Sequence, residues 1–397
     1  MNHSIRILFH KRLIKYISLV ISRIIYRNTS LISRKEVNKI LIISLDYIGD
    51  YIMRTIPIIF SIKKYFPQAS ISIMVGSWIR ELASSNPFID EIIVYNAYWL
   101  DRSGNKWNFI KKIKVLFRIW RRKFDLVVGA RECLGTVLIG LLKYSRYRLG
   151  ILNQSMSSIF YTNYTENKIS SVFQIVNNLP VSVDEFILKK KNFICVSKDS
   201  INRIKELLIK KRLDFSKKII SIHPGANSKV KQWHYEKWAE LCDAVVEKYD
   251  VEIVICGTNK DREFSNNIVR RVKNRVINLT GETTLMELVA MIKMSSLCIT
   301  IDSGAMHIAG LLDIPLVALF GPNDPRDCGS LTNKCRIVYK NLPCVKFCIE
   351  NAMDCKNECM RFIRVDDVLK EVEIIRQKYE LFRLQKEKSL NNVSKII

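Results

Sequence analysis

Three stretches of the 397-residue chain place chemistry-bearing side chains where an apolar run gives way to a helical pattern. In DYIGDYIMRTIP (46–57), Gly49 and Asp50 follow the apolar run ILIISL (40–45). A carboxylate at the carboxyl end of a strand can take the proton of an attacking hydroxyl, or it can simply cap the helix that follows. In IDSGAMHIAGLL (301–312), Asp302, Ser303 and Gly304 mark a strand-to-helix junction, with His307 five residues after Asp302. The free N–H groups and positive dipole end of a helix start bind anions. Gly304 permits close approach, Ser303 can donate its hydroxyl, and Asp302 can accept sugar hydroxyls. Capping by Asp302 or Ser303 and a structural hydrogen bond from His307 are the plainer alternatives. In HPGANSKVKQW (223–233), Gly225 frees the backbone while Lys229 and Lys231 can reach phosphate oxygens. Two such loops suit a diphosphate, and one carboxylate beside a leaving diphosphate suffices for a single inverting displacement. The sequence Gly-x-Gly-x-x-Gly is absent, which argues against a dinucleotide oxidoreductase.

The elements that must position these residues form two series. Apolar runs at 40–45, 70–75, 91–95 and 125–130 alternate with helical stretches at 50–65 and 108–123. This is the signature of a parallel sheet with crossover helices. After Gly150 the regularity fades, and a second series runs through 219–222, 252–256, 276–279, 297–301 and 315–320. The expected organisation is a basic N-terminal segment (1–37), an acceptor-binding Rossmann-like domain (38–190), a nucleotide-sugar-binding Rossmann-like domain (191–364) and a helical tail (365–397). In a two-half fold that tail could pack back across the first domain.

Hydrophobic residues at 48% exclude global disorder, and the formal charge of +26 points to a polyanionic partner (nucleic acid, anionic lipid or a phosphorylated glycan), with ordinary solvated Lys on helices as the plainer alternative. No nucleic-acid module is recognisable and the basic residues are dispersed among α/β elements, so a nucleic-acid-binding protein is the lesser reading. Residues 11–27, KRLIKYISLVISRIIYR, carry an apolar stripe flanked by Lys and Arg. The segment is too interrupted by charge to span a bilayer and reads as a helix lying in the membrane plane or packed on the protein. Without an export signal the eleven Cys are expected to be mostly free thiols in a reducing compartment. Cys344, Cys348, Cys355 and Cys359 have i, i+4 spacing within each pair; structural thiols, zinc and a redox pair all remain open.

The segments ILIISLDYIGDYIMRTIPIIFSIKKYFPQASISIMVG, IISIHPGA…KQW and ITIDSGAMHIAG…PLVALFGPNDP, in that order, resemble the ADP-heptose:lipopolysaccharide heptosyltransferases, glycosyltransferase family nine. The resemblance runs from 38 to 363 and includes the Cys-containing stretch PCVKFC…CKNECM. It implies a GT-B fold, with two Rossmann-like domains facing a central cleft, and an inverting, metal-independent transfer of heptose from ADP-heptose. Asp50 matches the family's base, with Gly49 beside it on the acceptor side. Lys231 matches the lysine at the donor phosphates, Asp302, Ser303, Gly304 and His307 the donor loop, and Glu263 in CGTNKDRE (256–263) the stretch near the nucleotide ribose. The expected acceptor is lipopolysaccharide core or another glycolipid. The expected location is the cytoplasm, peripheral on the inner face of the cytoplasmic membrane, with an anionic membrane surface and no nucleic acid as partners. A different nucleotide-sugar donor is the alternative. The chain departs from the family pattern at Ser44, where Arg is usual, and at Phe173, near which His is often found.

Overall fold

The computed structural model describes residues 36–96, 109–130, 145, 147–152, 163–166, 186–187, 189–344 and 357–385. The amphipathic stretch 11–27, Phe173, Cys348 and Cys355 lie outside them. The chain divides into two compact units, Met1–Lys189 and Lys190–Ile397.

The first unit holds a six-stranded sheet of β1 (Lys39–Ser44), β2 (Ser70–Val75), β3 (Glu91–Val94), β4 (Leu126–Gly129), β5 (Tyr147–Leu152) and β6 (Asn163–Glu166), in the order β3-β2-β1-β4-β5-β6. Every pairing is parallel. The continuous apolar runs follow from this: β1 carries Ile40, Leu41, Ile42 and Ile43, all at most 1% exposed, because a parallel strand is covered on both faces. Helix α1 (Ile56–Tyr65) supplies one cover, and α3 (Phe109–Trp120) supplies another through Ile119, Val115 and Leu116. Between β2 and β3 lies the short helix α2 (Arg80–Ser84).

The second unit repeats the topology. Its strands are β7 (Lys218–His223), β8 (Val251–Ile255), β9 (Ile277–Asn278), β10 (Leu297–Ile301), β11 (Leu316–Phe320) and β12 (Cys335–Tyr339), in the order β12-β11-β10-β7-β8-β9, again all parallel. Helix α4 (Lys198–Lys210) precedes β7, and α5 (Tyr235–Lys248), α6 (Arg262–Val269), α7 (Leu285–Met294) and α8 (Gly304–Leu311) connect successive strands from β7 to β11. Their starts are locally encoded: Ser197 caps α4 by accepting from the Ser200 amide at 3.1 Å, and Thr284 with Glu287 forms a capping box on α7.

The tail does not need the first unit for a partner. Helix α9 (Val365–Tyr379) inserts Val365, Val368, Val372 and Ile375 into the core formed by α5, β11 and β12 of the second unit. Residues beyond it continue this attachment, the Asp250 amide donating to the Arg383 carbonyl at 3.2 Å.

Each sheet reverses its strand order beside its first strand: between β1 and β4 in one unit, between β7 and β10 in the other. In open α/β sheets, ligands sit outside the carboxyl ends of the strands at such switch points. The three stretches singled out above are the loops that leave β1, β7 and β10.

Candidate functional site

In the first unit, Asp50 closes a single α turn (Ile48–Asp50) that passes directly into a π turn (Tyr51–Thr55) before α1 begins. The expected continuous helix over 50–65 is thus broken at its start. One-turn π segments are frequent at functional sites, where the wider turn re-aims side chains. Asp50 keeps 27% of its side chain exposed, and its Oδ1 lies 3.6 Å from Arg54 Nε, one turn on. The ion pair limits the carboxylate's rotamers while leaving it accessible. Gly49 sits beside it, part-buried.

The loop is fixed from below and from the side. Ser44, fully buried, contacts Thr55 Oγ1 at 2.7 Å and donates to Asp46 Oδ2 at 3.2 Å, tying the end of β1 to the π turn. Trp78, in the loop after β2, donates its indole N–H to the Asp46 carbonyl at 2.8 Å, and its ring covers Gly76 so closely that a Cβ there would overlap it. Asn96, after β3, accepts from the Ser77 amide at 2.8 Å. Three strand ends are therefore bound together around Asp50. Trp78→Phe, which keeps an aromatic side chain but removes the N–H and shrinks the ring that covers Gly76, is expected to cost about 1–3 kcal/mol in urea unfolding; an unchanged midpoint would contradict this role.

In the second unit, Lys231 ends a one-turn 3-10 helix (Lys229–Lys231), and its Nζ lies 2.7 Å from Asp302 Oδ2. Asn323, in the loop after β11, donates to the same oxygen at 2.6 Å. Asp302 is nearly buried (8% side-chain exposure) whereas Lys231 is not (26%). With both donors on one oxygen, Asp302 first orients Lys231. An ammonium carries three donors, so the lysine retains capacity for a ligand.

Ser303 stands at the N-cap of α8, yet its side chain makes no capping bond. Its hydroxyl lies 3.1 Å from Thr300 Oγ1 and 3.5 Å from His223 Nδ1. Thr300 Oγ1 also lies within hydrogen-bond distance of the His223 carbonyl at 3.1 Å and the Ile301 carbonyl at 3.0 Å, and a bond to either leaves Ser303 to donate to Thr300. Burial lowers the pKa of His223, with Asp261 pulling the other way. Burial thus favours the neutral imidazole, whose Nδ1 shares one hydrogen bond with Ser303 in a direction set by its tautomer. Gly304 opens α8, and His307, one turn below Ser303, is 5% exposed within a wholly buried stretch from Ala305 to Leu311.

Gly225 has a packing reason for being glycine. A Cβ there would lie 2.5 Å from the Asp261 carboxyl carbon and Oδ1. Asp261 is itself committed, accepting from Thr258 N at 2.8 Å and Thr258 Oγ1 at 2.6 Å. Gly225→Ala is expected to destabilise the chain by about 1–3 kcal/mol, read by thermal unfolding. The loss should shrink in an Asp261→Ala background. Equal losses in both backgrounds would remove this explanation. Glu263, two residues on, is exposed in the first turn of α6 and lines a shallow surface pocket with Asn259, Arg262 and Arg270.

The structure thus gathers Lys231, Asp302, Ser303 and Gly304, sets Gly225 against Asp261, and leaves Glu263 exposed in the first turn of α6, outside these contacts. Sequence reasoning missed His223, Thr300, Asn323 and Asp261, although His223 and Asn323 stand inside the quoted segments HPGA and GPNDP. The supporting role of the segment 357–363, which braces the loops after β7 and β11, was not read from the sequence either. Asn357 Nδ2 donates to the Gln232 carbonyl at 2.8 Å, Trp233 Nε1 to the Ile363 carbonyl at 3.0 Å, and Met360 with Cys359 packs against Gly321. Cys359 is buried and Cys344 exposed. Among the described residues no group of three or more His, Cys, Asp or Glu is placed to hold a metal, and no helix is long and apolar enough to cross a membrane.

Comparison with known proteins places this arrangement. The family model for glycosyltransferase family 9 (heptosyltransferase) matches residues 124–358. Lipopolysaccharide heptosyltransferase 2 of Salmonella typhimurium is 24% identical over 314 residues, covering 76% of this chain and 87% of that protein. Lipopolysaccharide heptosyltransferase 1 of Campylobacter coli is 24% identical over 347 residues, covering 84% and 98%. Among solved structures, a family 9 glycosyl transferase from Veillonella parvula superposes with a TM-score of 0.71 at 20% identity, covering 88% of this chain and all of that one. The ADP-heptose lps heptosyltransferase II of E. coli gives 0.68 at 22%, covering 86% and 99%. These likenesses establish the GT-B fold, with each unit contributing one Rossmann-like sheet. With more than half its length matched by the family model, the chain belongs to glycosyltransferase family 9, the heptosyltransferases.

Proposed function

We propose that this chain transfers heptose from ADP-heptose to a hydroxyl of lipopolysaccharide core, with inversion and without a metal ion. The observation that carries the donor half is the cluster of Lys231, Asp302 and Asn323 at the strand ends of a Rossmann-like sheet in a family 9 chain. The second unit binds the nucleotide sugar: Lys231 and the N–H groups at the start of α8 meet the diphosphate, and Glu263 reaches the ribose from α6. The first unit binds the acceptor and supplies Asp50.

In the reaction, Asp50 accepts the proton of the acceptor hydroxyl as its oxygen bonds to the anomeric carbon. The bond from that carbon to the diphosphate breaks, and ADP departs. One displacement inverts the anomeric configuration. Charge grows on the diphosphate during bond breaking, so Lys231 and the helix start stabilise the transition state more than the bound donor. This cation supplies locally what a divalent metal supplies elsewhere.

Work with truncated core and ADP-heptose in EDTA is expected to yield core enlarged by one heptose, with the new linkage of opposite anomeric configuration to the donor. Core returned without an added sugar, under conditions where the donor is consumed, would overturn the acceptor assignment. A retained anomer would overturn the single displacement.

A further inference from the structure

Helix α3 turns two faces outward in a way the transferase chemistry does not use. Val115, Leu116 and Ile119 hold it against the core beneath β1, β2 and β4. On another stripe, at i, i+4 and i+7, Ile113, Phe117 and Trp120 are 48%, 52% and 53% exposed. Lys114, Arg118 and Arg121 form the adjoining stripe, all exposed, and the Arg121 guanidinium stands over the Phe117 ring at 5.6 Å. Residues 106–124 contain eight Lys or Arg and no Asp or Glu. Because the buried face is already committed, the helix cannot roll to hide the apolar one.

We propose that this face of α3 docks on an anionic lipid bilayer, lying in the plane of the interface. Three large apolar side chains beside a cationic stripe match what an interfacial helix requires: apolar area for the acyl boundary and positive charge for acidic headgroups. Tryptophan at 120 suits the headgroup level, where an amphipathic ring is favoured. A second copy of the chain is a poor occupant, since a two-fold contact would set this uniformly cationic face against itself. A nucleic acid would use the cations but gain little from an exposed Ile113 and Phe117. The inference rests on the proposed function only in that a lipid-borne acceptor gives docking a purpose; the surface itself stands on exposure and charge.

Full-length protein would be titrated with acceptor-free vesicles of phosphatidylcholine, alone or with one third phosphatidylglycerol, and bound fractions measured by sedimentation. The native chain should prefer the anionic vesicles. The variant Ile113→Gln/Phe117→Gln/Trp120→Gln should bind them at least about tenfold more weakly, with an unchanged thermal midpoint and unchanged donor-dependent nucleotide release on soluble core. The variant Lys114→Gln/Arg118→Gln/Arg121→Gln should lose the preference for anionic lipid. No binding by the native chain, or binding by both variants equal to that of the native chain, overturns the proposal. So does an apolar variant that changes only the oligomeric state in light scattering, or only the binding of single-stranded DNA. Because the vesicles hold no acceptor, none of these results bears on the transferase reading, and failed glycosyl transfer would leave vesicle binding intact.

Discussion

Asp50→Asn is expected to lower kcat by about 100- to 10,000-fold, with KM for the nucleotide sugar nearly unchanged. The substitution keeps the shape of the side chain and removes its capacity to take a proton. The cost corresponds to about 3–5 kcal/mol of transition-state stabilisation. Stability should hardly move, because Asp50 is partly exposed and its contact with Arg54 is a loose i, i+4 pair at 3.6 Å. The π turn and the Trp78, Ser44 and Asn96 contacts remain to hold the loop. Steady-state kinetics with ADP-heptose and core would check the split. A variant with native kcat would remove Asp50 from the chemistry, and one with native kcat but a raised KM for core would make it an acceptor-binding residue.

Lys231→Met is expected to lower kcat/KM by about 100- to 1,000-fold, through kcat as well as KM. Here two effects must be separated. The variant removes a cation from the diphosphate and also leaves the nearly buried Asp302 carboxylate with Asn323 as its remaining described donor. Abandoning a buried charge is costly, and with Lys231 still partly exposed the penalty is about 1–2 kcal/mol. Adding Asp302→Asn to Lys231→Met removes that charge. The double variant should therefore recover stability and not activity. Recovery of both would mean that Lys231 serves only to neutralise Asp302, and recovery of neither would mean that Asp302 has a further structural task. Unfolding midpoints and kinetics on the four proteins of the cycle give the answer.

Much of this was legible in the sequence because the strands around the two switch points are continuous apolar runs. ILIISL, SISIMV, LCITI and PLVALF are buried on both faces, and short apolar runs rich in β-branched residues favour an extended segment over a helix. The edge strands β3 and β9 were also read from their apolar runs, whereas three others were not legible. YRLGIL (β5) contains Arg and Gly, NYTE (β6) is polar, and CRIVY (β12) is an edge strand with Arg336 and Ile337 outward. Polar or charged residues interrupt the apolar run in each of these strands, so their composition approaches that of a loop.

The same division holds for the site. Gly49-Asp50 and Asp302-Ser303-Gly304 announce themselves by residue type at a strand end. Asn323, Thr300 and Asn357 act through contacts between residues 21, 77 and 125 positions apart, which no local pattern encodes. The π turn after Asp50 was equally hidden, since YIMRT has ordinary helical composition. Gly225 was read as freeing the backbone for a ligand, while the structure gives it a second reason, the Asp261 carboxylate pressed against it. The tail's position likewise needed the structure: its apolar stripe shows that α9 packs somewhere, and only the core of the second unit shows where.

The most direct test of the central claim is nucleotide release by the native full-length chain from a panel of nucleotide sugars, in EDTA, with and without extracted lipopolysaccharide core. The account predicts release of ADP from ADP-heptose that depends on core and persists in the chelator. Release from a different nucleotide sugar and not from ADP-heptose would contradict the donor assignment, and release that stops in EDTA and returns with a divalent cation would contradict the role given to Lys231 as the charge that receives the leaving diphosphate.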